Sequence, residues 1–198
     1  MPRKRINVES IYVIVKKRER SSFNFYSPCR QYDGFVLMTD GEGLFQQYNS
    51  DGSCEEIPIN KGSLMLLRKN DRYRITSDGP CEYVTTAYNF GGKYYHEIQN
   101  LPFVIEADST MFKEILEMTD IWQSRSWDSY IVCKIKLLQL YLSIMRRIET
   151  KLSYNDKDIA EAVDFIHNNF KRNFTTGAYS SYSHGCRFQC GFCTIRYY

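Results

Sequence analysis

The chain changes its hydrophobic period once, near Ser109, and that change restricts the folds open to it. Over residues 9–90, short apolar runs alternate with turn signals, the pattern of an all-β barrel or sandwich. Strands are expected over 10–15, 34–39, 44–48, 56–59, 63–67, 72–76 and 82–90. Asp40-Gly41-Glu42-Gly43 reads as the turn of a hairpin, because glycine supplies the positive φ that a tight turn needs. Asn49-Ser50-Asp51-Gly52, Asn60-Lys61-Gly62 and Ser77-Asp78-Gly79-Pro80 mark further turns.

From Ser109 onward Met111, Phe112, Ile115, Leu116 and Met118 recur at helical spacing. The strongest helix is expected over 129–152. There Ile131, Ile135, Leu138, Leu142 and Met145 alternate steps of four and three, while Leu137, Tyr141, Ile144 and Ile148 form an adjacent stripe. One stripe covers a helix's own domain; two leave a face for a partner helix. Dimerisation is expected through the first stripe, the alternative being a helix buried wholly against its own barrel. A turn at 153–155 is the expected boundary. Beyond it Asn155 or Asp156 caps a further helix, with Ile159, Ala162, Val163 and Ile166 as its apolar stripe, acids early and Lys171-Arg172 at its end.

Composition narrows the function classes. A chain of 198 residues with 43% hydrophobic and 15% aromatic residues has material for a real core. A net charge of +3 does not force a nucleic-acid surface, and the basic residues crowded at the start (Arg3 to Arg5, Lys16 to Arg18, Arg20) read as a solvated arm. No apolar run reaches membrane-spanning length, and the N-terminus lacks the apolar core of a secretory signal. Cys29, Cys54, Cys81 and Cys133 are scattered singly, as in a reduced compartment, so a cytoplasmic location is expected.

The order of parts resembles the AraC family of bacterial transcription regulators. Residues 32–43, from Tyr32-Asp33-Gly34 to the glycine turn, look like the family's second barrel strand. Residues 57–67 resemble the segment where a Gly-Asp pair precedes an apolar strand, with Ser63 in place of the acid. Residues 81–90 and then Lys93-Tyr94-Tyr95-His96-Glu97 are similar to the closing strand and the segment after it. Residues 137–148 look like the dimerisation helix, and 159–174 like the first helix of the DNA-binding domain. The resemblance covers about residues 10–175 and implies an α+β chain. A cupin-like effector-binding β-barrel is expected over 1–108 and an antiparallel helical dimerisation segment over 109–153. The first helix of a truncated helix-turn-helix domain is expected over 154–175, and an atypical cysteine-containing tail over 176–198.

The family senses a small effector, often a sugar, and reads DNA through two helix-turn-helix units. Two such units need on the order of a hundred residues, and 43 follow Asn155. The expected function is therefore effector sensing and homodimerisation in a DNA-binding regulator, with no catalysis and no cofactor. DNA binding is expected to be impaired unless an intact C-terminal domain or partner supplies it. Arg30, Arg74, Tyr83 and Thr85 are the candidate effector contacts: Arg30 as a fork for a hydroxyl or carboxylate, the others on alternating strand positions whose inward face the sequence leaves open. The histidines, His96, His167 and His184, fall outside the barrel strands, so no histidine metal centre is expected there.

The tail departs from the family's pattern at Thr176. Cys186, Cys190 and Cys193 resemble the cluster loop of radical S-adenosylmethionine enzymes, and three thiolates at that spacing can hold three irons of a [4Fe–4S] cluster. That chemistry needs a barrel built after the loop, so the expected reading is free thiols with no metal; zinc with His184 is a weaker option. A slip of reading frame near Thr176 is the expected account of the departure, and the genomic sequence past Tyr198 tests it. The rival functions are an iron–sulfur protein built on these cysteines and a free-standing small-molecule-binding cupin.

Overall fold

The computed structural model describes residues 7–91 and 99–155, with side chains to residue 148. Compactness divides the chain into two units, Met1–Met145 and Arg146–Tyr198. The described part of the second is helical, to Asn155.

The first unit opens with eight strands: β1 (Asn7–Glu19), β2 (Phe23–Ser27), β3 (Gly34–Asp40), β4 (Glu42–Tyr48), β5 (Cys54–Asn60), β6 (Ser63–Leu67), β7 (Arg72–Ser77) and β8 (Cys81–Gly91). A short β9 (Val104–Glu106) comes next, then the helices α1 (Ser109–Ser124) and α2 (Ser129–Asn155). The strands form two antiparallel sheets, of order β1-β8-β3-β6-β9 and β2-β7-β4-β5. The sheets do not close, which corrects the expected barrel to an open two-sheet β-sandwich. β1 and β2, joined by residues 20–22, end as edge strands of different sheets, because β1 pairs with β8 and β2 with β7. Lys16, Lys17 and Arg18 lie within β1 rather than in a solvated arm.

The interior follows from strand alternation, which sends neighbouring side chains to opposite faces. Val36, Met38, Met65, Leu67 and Tyr83 from the larger sheet pack against Phe45, Ile59, Tyr73 and Ile75 from the smaller one. Phe35, Leu37, Leu64 and Val84 are buried too, on the opposite face. That face carries the helices: Tyr141 of α2 stacks edge-on against Tyr88 and Phe90, 6.2 and 4.7 Å between ring centres. Covering both faces explains why β3 and β6 read as unbroken apolar runs.

α1 begins where Asp108 accepts hydrogen bonds from the backbone N–H groups of Thr110 (3.0 Å) and Met111 (2.9 Å), and it ends at Arg125, whose φ of 52° is left-handed. Removing the cap with Asp108→Ala is expected to cost about 1 kcal/mol, read as a small drop in the thermal midpoint with no change in ligand binding. Met111, Ile115, Met118 and Thr119 form the buried face of α1. α2 returns antiparallel to it. The Cys133 thiol meets the Met118 carbonyl, and Lys136 pairs with Glu117 at 3.0 Å, so rising numbers on one helix meet falling numbers on the other. α2 runs on through 153–155, where the sequence predicts a turn.

Candidate functional site

The two sheets leave a cavity of about 120 Å³ between them. Strand β2 contributes Phe23 and Phe25, β3 Val36 and Met38, β7 Tyr73 and Ile75, and β8 Cys81, Tyr83 and Thr85. Thr76 and Ser77 of β7, Lys17 of β1 and Arg30, from the loop before β3, complete the polar part of the lining. Edge strands β1 and β2 both contribute to it, so the lining reaches the open side of the sandwich.

Arg30 is the most constrained of these groups. Its backbone N–H donates to the Asp71 carbonyl at 3.0 Å, and its own carbonyl accepts from Asn70 N–H at 2.8 Å. Asn70 makes that possible by taking a left-handed φ of 72°. The guanidinium then reaches inward: Nη1 donates to the Tyr73 hydroxyl at 2.6 Å and Nη2 to the Thr86 carbonyl at 2.9 Å. Nε is buried and has no hydrogen-bond partner. Room for the group comes from Gly34, where any Cβ would be built into both the Thr86 carbonyl oxygen and Arg30 Nη2.

Burial keeps the titratable hydroxyls and the thiol of the lining protonated. Burial pushes the Tyr73 hydroxyl up, with Arg30 working against that shift. Burial also raises Tyr83 strongly, and the nearby Glu19, which accepts its hydroxyl at 3.2 Å, adds to the effect. The Cys81 thiol is pushed up by burial as well, the reverse of what an activated nucleophile needs. These groups stay neutral at ordinary pH, so they offer hydrogen bonds to a guest rather than proton abstraction.

Of the four expected effector contacts, the structure brings Arg30, Tyr83 and Thr85 to the cavity. Arg74 is placed elsewhere. Tyr73 and Ile75 take the inward positions of β7, so Arg74 points to the outer face, its guanidinium 5.4 Å from the ring centre of Tyr26. Sequence reasoning missed Lys17, Phe23, Phe25 and Tyr73. The alternation of Phe23 and Phe25 with Asn24 and Tyr26 was the available signal for β2.

The two stripes of α2 separate cleanly. Leu137, Tyr141 and Ile144 are buried in the domain. Ile131, Ile135 and Leu142 are 55%, 51% and 45% exposed, with Leu138 and Met145 half-buried between and beyond them. One further link ties this helix to the sandwich: the hydroxyls of Tyr88 and Tyr141 lie 2.5 Å apart in the core.

Cys186, Cys190 and Cys193, the three histidines and the helix expected after Asp156 lie outside the described residues. Among the described residues no group of three His, Cys, Asp or Glu side chains could hold a metal ion, and no helix is long and apolar enough to cross a membrane. Cys29, Cys54, Cys81 and Cys133 are free thiols.

No protein-family model matches the chain, and no curated protein matches it. Among solved structures, ToxT from Vibrio cholerae bound to an unsaturated fatty acid is 10% identical over 89% of this chain and 68% of that one, with a TM-score of 0.49. ToxT bound to (E)-4-(8-methylnaphthalen-1-yl)but-3-enoic acid is 12% identical over 87% and 71%, at 0.47. Oxalate decarboxylase from Bacillus subtilis is 11% identical over 50% of this chain, at 0.36. The chain spans 34% of that enzyme's length. At such scores these likenesses settle neither family nor activity.

Proposed function

We propose that the chain is the effector-sensing and dimerisation part of an AraC-type transcriptional regulator. The observation that carries this reading is the second apolar stripe of α2. A helix that had only to cover its own domain would bury one stripe and be polar elsewhere. Here Ile131, Ile135, Leu138, Leu142 and Met145 keep the four–three spacing of a helix–helix seam, outward, beside a buried stripe that already holds the helix in place. Two copies present the same seam, so a two-fold homodimer is self-complementary. The cavity supplies the second requirement, a concave, largely apolar site for a small molecule.

The mechanism is linkage. An effector that binds the sandwich better in one dimer arrangement shifts the population toward it, and attached DNA-reading elements move with it. β8 is the physical connection: Thr85 faces the cavity, while Tyr88 on its other face holds Tyr141 of α2.

The oligomeric state tests the reading. Sedimentation equilibrium is expected to show a dimer, and the double variant Ile135→Glu, Leu142→Glu a monomer, with a dissociation constant raised at least about a hundredfold. Because both side chains are about half exposed, the thermal midpoint of the monomeric variant at high dilution should match that of the parent. A parent chain that stays monomeric at high concentration overturns the dimer and, with it, the regulator reading.

A further inference from the structure

We propose that the cavity takes a small monocarboxylic acid with an apolar body of ring size, its carboxylate held by Arg30. This deepens the effector-site reading and rests on it.

Charge is the first argument. Among the described residues no carboxylate lies within ion-pair distance of Arg30, whose guanidinium is directed into an apolar site. A guanidinium carries five donors in a fixed fork. One goes to a tyrosine hydroxyl and one to a backbone carbonyl, while the buried Nε has no partner. Neither acceptor is charged, and Asp71 acts on the half-buried guanidinium only from beyond ion-pair distance, so its desolvation is incompletely offset. A ligand carboxylate supplies the close counter-charge, in charge-assisted hydrogen bonds stronger than neutral ones. Exposed Lys17 adds a second positive charge, which attracts an approaching anion.

The remaining lining sets the rest of the ligand. Phe23, Phe25, Val36 and Met38 offer apolar walls, and no described lining residue is a carboxylate or an amide. A sugar brings several hydroxyl donors, and the lining answers them only with the hydroxyls of Tyr73, Thr76, Ser77, Tyr83 and Thr85, without the carboxylate or amide oxygen that would accept more strongly. The expected sugar is therefore replaced by an amphipathic anion. Size narrows it further. A dry cavity of about 150 Å³ accommodates benzene, and this one has about 120 Å³, room for one ring or a chain of a few carbons.

Calorimetric titration of the whole chain with benzoate, benzyl alcohol and L-arabinose tests the assignment. Benzoate is expected to bind at least tenfold more tightly than benzyl alcohol, with arabinose giving no heat. Arg30→Lys keeps the charge but loses the fork, so it should weaken benzoate severalfold and leave benzyl alcohol nearly unchanged. Met38→Trp fills the cavity and should abolish both; Thr85→Met serves if that variant does not fold. The comparison of probes on the unaltered chain stands even if the Arg30 variant is unstable. Benzyl alcohol binding as tightly as benzoate, with both lost on filling the cavity, overturns the carboxylate and leaves the effector site standing. Arabinose binding most tightly overturns it in the same way. No heat from any probe, together with a more stable filled variant, overturns both readings, since the cavity is then a packing void.

Discussion

Replacing Gly34 by alanine is expected to lower the melting temperature by about 10 °C, a loss of about 3 kcal/mol. The new Cβ would be built into the Thr86 carbonyl oxygen and Arg30 Nη2. Thr86 cannot retreat. Its strand, β8, lies between β1 and β3, and its hydroxyl both accepts from Phe35 N–H at 2.8 Å and donates to the Phe35 carbonyl at 3.2 Å. The methyl group therefore displaces Arg30 or splays the central strands, and either outcome should weaken benzoate at least tenfold. Gly79→Ala is the control, since no atom lies within 4 Å of a Cβ there and its φ is not positive. That change should stay within about 0.5 kcal/mol. Equal losses at the two positions would rule out the close approach at Gly34 as the cause.

Asp33→Ala should be costlier still, about 4 kcal/mol, measured as a fall in the denaturant midpoint at constant slope. Asp33 is 5% exposed and works as a backbone clamp. One carboxyl oxygen accepts from Lys69 N–H at 3.0 Å and the other from Phe90 N–H at 3.3 Å, while its carbonyl accepts from Tyr88 N–H at 3.0 Å. Truncation leaves the buried Phe90 N–H and the part-buried Lys69 N–H without their acceptor, at about 1–3 kcal/mol for each donor that water does not reach. Asp33→Asn keeps one acceptor but turns an amide N–H toward a donor, so it should recover only part of the loss. Full recovery with asparagine would show that shape, not hydrogen bonding, sets the cost.

Most of the sandwich was legible because its central strands are buried on both faces or alternate strictly. β6 appears at the expected 63–67, an apolar run bounded by Gly62 and Arg68. β3, β4, β5, β7 and β8 differ from expectation by one or two residues at their ends, but β3 and β4 lie in different sheets, so Asp40-Gly41-Glu42-Gly43 links the sheets rather than closing the expected hairpin. β2 escaped notice because its Ser27-Pro28 end reads as a turn and, as an edge strand, it carries polar Asn24 outward. β9 is three residues long, too short to show a period. Closure was misjudged because period reports which residues face inward, not whether the last strand finds the first.

The cavity was only half legible, for a related reason. Alternation places Arg74 and Tyr73 on opposite faces of β7 without saying which is inside, and the inward place went to the tyrosine. Arg30 is harder to place from sequence, because its position depends on backbone bonds to Asn70 and Asp71, far along the chain. α2 was read more fully. Its two stripes were visible in the spacing, and the structure shows which is covered. The separation rests on Leu137, Tyr141 and Ile144 meeting the sheet, through Tyr88 among others.

The pairing of the first strand with the eighth bears on how the chain must come into being. β1 is held by β8 along its whole length, from Asn7 opposite Gly91 to Glu19 opposite Cys81. On a ribosome, the first strand emerges long before its partner is made, and such distant pairings form late. Meanwhile a thirteen-residue strand rich in valine and isoleucine offers unpaired backbone to any neighbouring nascent chain. Lys16, Lys17 and Arg18 put three successive positive charges on its second half, covering both faces, and like charges repel a second copy in register. Charges placed in this way disfavour aggregation of a waiting strand in general, and two of them form ion pairs with Glu82 in the finished sheet.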